Sequence, residues 1–194
     1  MDATTQRIID DLLVAAEEHD AAQADRLDRW RVLEPDAGRL VWFVAQALPA
    51  RSIVEIGTSR GVSTLWLADA ARSVGGHVLT VDVDPDAQDA ARVSLEAAGL
   101  LDQVTFRRGD GGAVLADLPD GSVDLLFLDA ERAEYPSWWP HPMRVLRPGG
   151  LLVADNATSH AEEIAPLRDL IQSDDGMVMI TVAVGKGELM ALRR

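Results

Sequence analysis

From residue 52 onward, short apolar runs alternate with amphipathic segments of helical spacing, and nothing else in the sequence constrains the fold as tightly. "SIVEIG", "HVLTVDV", "QVTFRRG", "VDLLFLD" and "GLLVAD" read as strands, with helical stretches near 62–73, 86–98, 111–117 and 137–146 between them. Strands that alternate with helices build right-handed βαβ units and a mostly parallel sheet covered on both faces. After a last helix near 162–172, "MVMITVAV" and "ELMALRR" are separated only by Gly185–Lys186–Gly187. Three residues cannot hold a crossover helix, so this pair must be an antiparallel hairpin. The expected fold is α/β, a doubly wound, mostly parallel seven-stranded sheet whose last strand runs antiparallel.

Ahead of this pattern lie two helical stretches. Residues 5–18 place Ile8, Ile9, Leu12, Leu13 and Ala16 on one face, with Asp10, Asp11, Glu17 and Glu18 on the other. A second stretch follows Pro35 and Asp36, with Leu40, Val41, Phe43, Val44, Ala47 and Leu48 expected to face inward and Pro49 closing it. Both read as packing helices, available for dimerisation or for lidding a site. At 194 residues the chain is one domain, with 1–49 as a helical cap and 50–194 as the core.

Charge narrows the function classes. A net charge of −14 without a basic block argues against nucleic-acid binding, which needs clustered Lys and Arg to neutralise phosphates. The absence of cysteine excludes disulfides, thiolate metal sites and Cys nucleophiles. No cationic leader with an apolar core opens the chain, and its apolar runs are too short to span a membrane. A cytoplasmic protein with no membrane partner is the expectation.

In doubly wound sheets, ligands bind beyond the carboxyl ends of the strands, where the winding direction switches. Acids gather at those ends. The first strand runs "VEIGTSRGVST", with Glu55 before a loop flanked by Gly57 and Gly61 and with Ser63 in the first turn of the helix. Its Glu-x-Gly-x-x-x-Gly spacing differs from the Gly-x-Gly-x-x-Gly of dinucleotide folds. An acid there suits a cationic ligand group better than a pyrophosphate. Asp82 closes the second strand, where a carboxylate can accept from a ribose diol. Asp110 follows the third, as a helix N-cap or as an acceptor for an adenine amino group.

"VEIGTSRGVST", "LTVDVDPDAQDAAR", "GLLDQVTFRRGD", "DLLFLDAERAEY" and "LRPGGLLVADN" together resemble the successive motifs of class I S-adenosylmethionine-dependent methyltransferases. Within these the chain is similar to the catechol/caffeoyl-CoA-type O-methyltransferases, from about residue 50 to the end. The resemblance implies that Glu55, Gly57, Ser59, Gly61 and Ser63 hold the methionine moiety, Asp82 the ribose, and Asp110 the adenine side of S-adenosylmethionine. Val62 stands where many relatives carry Tyr.

Asp129 and Asp155 close the fourth and fifth strands, and Asn156 follows. Read alone, they are loop caps or hard oxygen ligands for a divalent cation. The resemblance favours the ligands: Asp129, Asp155 and Asn156 match the set by which cation-dependent relatives hold a metal, Mg²⁺ here, with Asp129 also beside the cofactor. The implied reaction is in-line methyl transfer from the sulfonium to a hydroxyl of a small, catechol-like acceptor. A phenol near pKa ~10 needs activation at neutral pH, which a cation bound to its oxygens supplies. Arg132 stands where such relatives place the Lys base, and an arginine cannot take a proton. That leaves metal-bound water, or His160 or His141, for deprotonation. Arg132 itself would stabilise an acceptor oxyanion or pair with Glu131 or Glu134. Tyr135, Trp138 and Trp139, with Trp30 from the cap, could sandwich a flat acceptor, although core packing accounts for at least one neighbouring Trp. A homodimer is compatible with the sequence.

Overall fold

The computed structural model describes residues 1–25 and 28–194. Two helices come first, α1 (Ala3–Ala22) and α2 (Pro35–Ala47). The core then runs β1 (Ser52–Ile56), α3 (Val62–Val74), β2 (His77–Asp82), α4 (Pro85–Ala97), β3 (Val104–Arg108), α5 (Gly111–Asp117) and β4 (Val123–Leu128). It continues through α6 (His141–Val145), β5 (Leu146–Ala154), α7 (Ala161–Gln172), β6 (Met177–Val182) and β7 (Glu188–Arg193). The seven strands lie in the order β3-β2-β1-β4-β5-β7-β6, with β7 antiparallel to both its neighbours and the pairs among β1–β5 parallel.

Alternation along the strands divides the interior in two. Ile53, Leu125, Phe127, Leu151 and Val153 face α1, α2 and α3, packing with Ile9, Val41, Leu65 and Trp66. Val54, Ile56, Leu126, Leu128, Leu152 and Ala154 face the other way, onto Leu115, Tyr135, Trp138, Ile164 and Leu167. A strand residue therefore belongs to one face or the other by parity, as the period of two requires. Glu55 has the parity of Ile53, which buries its side chain under α3.

Two sequence expectations are corrected. The helix near 137–146 is instead a 3₁₀ segment, Arg132–Trp138, followed by the five-residue α6, and β5 already starts at Leu146. Pro136, Pro140 and Pro142 remove the backbone donors a continuous helix needs. On α2 the inward stripe is Ala37, Gly38, Val41 and Ala45, whereas Phe43 is 64% exposed and Ala47 also faces out. Gly38 decides this, because a Cβ there would sit 2.2 Å from the Trp66 ring of α3. The two helices meet at that glycine, and the large residue turns away.

The parallel register pairs Ile56 with Val81 and Leu128, and Leu128 with Ala154. Consequently the residues that follow β1, β2, β4 and β5 emerge at one edge, and the winding switches between β1 and β4. No helix among the described residues is long and apolar enough to cross a membrane.

Candidate active site

A cavity of about 590 Å³ opens at that edge, within the size range of small-molecule sites. Its wall includes Gly57, Ser59, Asp82 and Asp110 on one side and Asp129, Arg132 and Asn156 on the other. Glu55, Gly61, Ser63 and Asp155 do not reach the wall; they lie behind it.

On the first side the carboxylate of Asp82 shapes the loop. Its Oδ2 accepts from Ser59 N at 2.8 Å and its Oδ1 from Asp84 N at 2.9 Å, so each oxygen keeps a lone pair for a ligand. Asp110 is the N-cap of α5, accepting from Ala113 N at 2.7 Å, and it also lines the cavity; cap and wall residue are one. Glu55 differs from expectation. It is fully buried, and Oε2 accepts from Thr64 Oγ1 at 2.5 Å and Thr80 Oγ1 at 2.6 Å, while Oε1 has no partner. Burial raises its pKa to about 7 against the hydroxyl hydrogen bonds that favour the charged form. Ser63 lies beside this carboxyl and favours its charged form.

The roof comes from the N-terminal segment. Ser59 Oγ donates to Trp30 O at 2.9 Å, and the Arg60 guanidinium lies 4.7 Å from the Trp30 ring centroid. On its other side Trp30 stacks on His19 at 4.4 Å, and Asp20 fixes Trp30 N at 2.7 Å. Trp30 lines the cavity as the sequence suggested.

On the second side, Asp129 N donates to Ile56 O and Asp155 N to Leu128 O, which continue the ladders past the strand ends. Asn156 takes the left-handed region at φ +69°, donating its N–H to Asp155 Oδ1 at 2.6 Å and its side-chain amide to Asp155 Oδ2. Arg132 is 4% exposed, and its ion pair runs to Glu163 of α7. Its Nε donates to Glu163 Oε2 at 2.9 Å and its Nη1 to Asn156 Oδ1 at 3.2 Å. Arg132 thus clamps the loop after β5 onto the 3₁₀ segment.

This arrangement answers the metal expectation. Asp129 and Asp155 are hard oxygen donors at one edge. The third expected ligand atom, Asn156 Oδ1, is already held by a buried guanidinium, and both oxygens of Asp155 serve Asn156. As folded, each of these three oxygens accepts one hydrogen bond and keeps a lone pair, but a divalent cation at Asp129, Asp155 and Asn156 would have to displace the Arg132 guanidinium from Asn156 Oδ1. Among the described residues, moreover, no cluster of His, Asp and Glu has the geometry of a metal site.

Three residues that sequence reasoning passed over complete this side. Glu188, at the start of β7, is fully buried against Asp155, to which it is hydrogen-bonded when protonated. Burial, and then the charge of Asp155, pushes Glu188 up to about 10. Burial and the charge of Asp155 likewise hold Asp129 well above the usual carboxylate range. Glu34, at the N-cap of α2, forms an ion pair with Lys186 of the β6–β7 turn, and Lys186 lines the cavity. The signal for Lys186 was present: it is the one lysine among 18 Lys and Arg residues.

The remaining candidates separate cleanly. His160 is on the cavity wall with Nδ1 2.8 Å from Ser159 Oγ, whereas His141 lies outside this wall, beside Arg144. Trp138 is buried on Gly111 and Gly112 yet reaches the cavity, while Trp139 packs against the second core. Tyr135 is spent on structure: its hydroxyl accepts from Ala130 N at 2.8 Å and donates to Ala130 O at 3.1 Å, fixing the turn after Asp129.

The profile of a family described as O-methyltransferase matches residues 12–186. A relative from Mycolicibacterium vanbaalenii, described as an O-methyltransferase, is 35% identical over 174 residues, 83% of this chain and 76% of its own length. The catechol O-methyltransferase of Mycobacterium tuberculosis is 34% identical over 145 residues, 75% of this chain and 64% of that one. The crystal structure of a Bacillus cereus O-methyltransferase in complex with SAH superimposes with a TM-score of 0.79 at 25% identity, covering 100% of this chain and 92% of that one.

Proposed function

The chain belongs to the O-methyltransferase family, and we propose that it transfers the methyl group of S-adenosylmethionine to a hydroxyl of a small aromatic acceptor. One observation carries this reading: a single cavity joins Gly57, Ser59, Asp82 and Asp110 to a second half walled by Asp129, Asn156, His160 and Trp138. The first half has the chemistry of a nucleoside site. Asp82 presents carboxylate oxygens suited to a diol, and Asp110 presents an acceptor next to Gly111. The orphaned Oε1 of Glu55 lies under the same glycine loop.

Bound there, S-adenosylmethionine supplies a sulfonium-activated methyl group. The protein's part is placement and proton handling. Trp138, which reaches the cavity, offers an aromatic surface to a flat ring. His160 takes the hydroxyl proton as the acceptor oxygen gains the methyl carbon and the carbon–sulfur bond breaks toward sulfur. Arg132 keeps the Asn156 loop in place and takes no proton. Holding both reactants in one cavity is itself worth up to ~7–11 kcal/mol in favourable cases. No step is routed through a divalent cation.

The test is turnover of catechol by the wild-type protein and Asp82→Ala, in excess EDTA and with added Mg²⁺. The reading expects chelator-resistant methylation, and a loss of S-adenosylhomocysteine affinity of about tenfold or more in Asp82→Ala by calorimetry, from the lost diol acceptor. Unchanged affinity in Asp82→Ala would remove the nucleoside assignment. Activity that vanishes in EDTA and returns with Mg²⁺ would restore the cation.

A further inference from the structure

The second half of the cavity is rich in carboxyl groups, and its chemistry requires an acceptor oxygen to become negative among them. Asp129, Asp155, Glu188 and Glu34 all lie at or behind this wall. Arg132 cannot balance them, because its guanidinium is buried against Glu163 and Asn156. The other cations on the wall are Arg29, Arg31 and Arg60, of which Arg31 pairs with Glu131 and Arg60 lies over Trp30, and Lys186.

Lys186 meets that need, and its position is built. The Lys186 carbonyl accepts from Thr158 N and Ser159 N, both at 3.0 Å, and from Thr158 Oγ1 at 2.5 Å. The adjoining Gly187 carbonyl accepts from Ala157 N at 2.7 Å. The loop that begins with Asp155 and Asn156 thus grips the turn that carries Lys186. Gly187 has φ +93°, and a Cβ on it would come within 2.4 Å of Thr158 Oγ1 and 2.7 Å of Thr158 N. Only glycine lets the turn approach so closely. The side chain lines the cavity, reaches the Glu34 carboxylate and remains 44% exposed. A chain that elsewhere uses arginine for every basic side chain keeps its one ammonium at this wall.

Resting on the methyltransfer reading above, we propose that Lys186 is the acceptor-site cation: its ammonium binds the reacting oxygen of the aromatic acceptor and stabilises it as the oxyanion. Lys186 acts as a charge and hydrogen-bond donor, not as the base. A compact ammonium on a flexible stem can leave Glu34 for an incoming oxygen, which a buried guanidinium held at both ends cannot do.

The test uses 4-nitrocatechol, whose absorbance reports its own ionisation, with the protein saturated in S-adenosylhomocysteine and EDTA present. At about one unit below the probe's free pKa, the wild-type protein should shift the bound probe to the phenolate spectrum. Lys186→Met should lose that shift, with probe affinity falling about tenfold or more. Lys186→Arg should retain much of it, and S-adenosylhomocysteine affinity should be unchanged in both. Glu34→Gln, which breaks the ion pair from the other side, should still ionise the probe. The proposal is overturned if Lys186→Met ionises the probe like wild type, if Glu34→Gln behaves like Lys186→Met, or if ionisation requires Mg²⁺. A wild-type protein that binds S-adenosylhomocysteine but no nitrocatechol would overturn the aromatic-acceptor reading, and this assignment with it.

Discussion

Replacing Glu55 by Gln should flatten the pH dependence of stability by an amount the structure fixes. In the folded protein Glu55 is wholly buried and titrates at about 7, whereas a model carboxyl titrates at 4.5. Between those values the folded state holds the extra proton, so stability falls as pH rises, and the penalty is complete above about 7. A gap of about 2.5 units at ~1.4 kcal/mol each makes the total about 3.5 kcal/mol, most of it lost between about pH 5 and pH 8. Gln is isosteric, and its carbonyl can accept from Thr64 and Thr80 as Oε2 does. Its amide N–H groups would occupy the place of Oε1, which has no partner, at a pH-independent cost of about 1–3 kcal/mol. Absolute stability at one pH therefore mixes two effects, but the change between pH 5 and pH 8 isolates the carboxyl. Asp155 and Glu188 are also raised and contribute slope of the same sign, which the comparison of the two proteins removes, whereas Asp129, raised in part by the charge of Glu55, adds a smaller change of its own. Urea unfolding at four pH values should show the wild-type protein losing about 2–3 kcal/mol more than Glu55→Gln across that window. Equal slopes would mean that folded Glu55 is already ionised at low pH, and the account of a largely neutral acid beneath the glycine loop would be wrong.

Three further outcomes follow from particular contacts. Tyr135→Phe deletes both hydrogen bonds to Ala130, leaving a backbone N–H unpaired, and should cost about 1–3 kcal/mol in urea unfolding. Gly112→Ala puts a methyl group 2.3 Å from Trp138 Cδ1 and should cost about 1–3 kcal/mol of overpacking, with a changed near-ultraviolet dichroism of the indole. His160→Gln should lower kcat about 100-fold or more with KM little changed, and a variant that keeps wild-type kcat would acquit the imidazole.

The sheet and the strand-end acids were legible in the sequence because they depend on local periodicity and on where each apolar run stops. Asp82, Asp110 and Asp129 reach the cavity for that reason alone. What escaped depended on partners far away in the chain. Glu55 looked like a ligand group, yet parity turns it toward Thr64 and Thr80, nine and 25 residues on. Arg132 seemed free to pair locally, but Glu163 and Asn156 reach it from the loop after β5 and from α7. Pro140 and Pro142 were visible, and their removal of helix donors outweighed the apolar spacing around them. Lys186 was hidden by its setting in a short glycine turn, the usual mark of a solvated hairpin tip.

Hairpin tips are also the customary places to splice foreign sequence into a protein, since exposed loops tolerate it. The Gly185–Lys186–Gly187 turn reverses that expectation, because four hydrogen bonds bind its carbonyls to residues 157–159. The opposite rim of the sheet is more permissive: added Cβ atoms at Gly75 and Gly99 would meet nothing within 4 Å. New chain ends for circular permutation, reporter insertions and surface attachment points therefore belong beside Gly75 or Gly99. The β6–β7 turn should be left untouched.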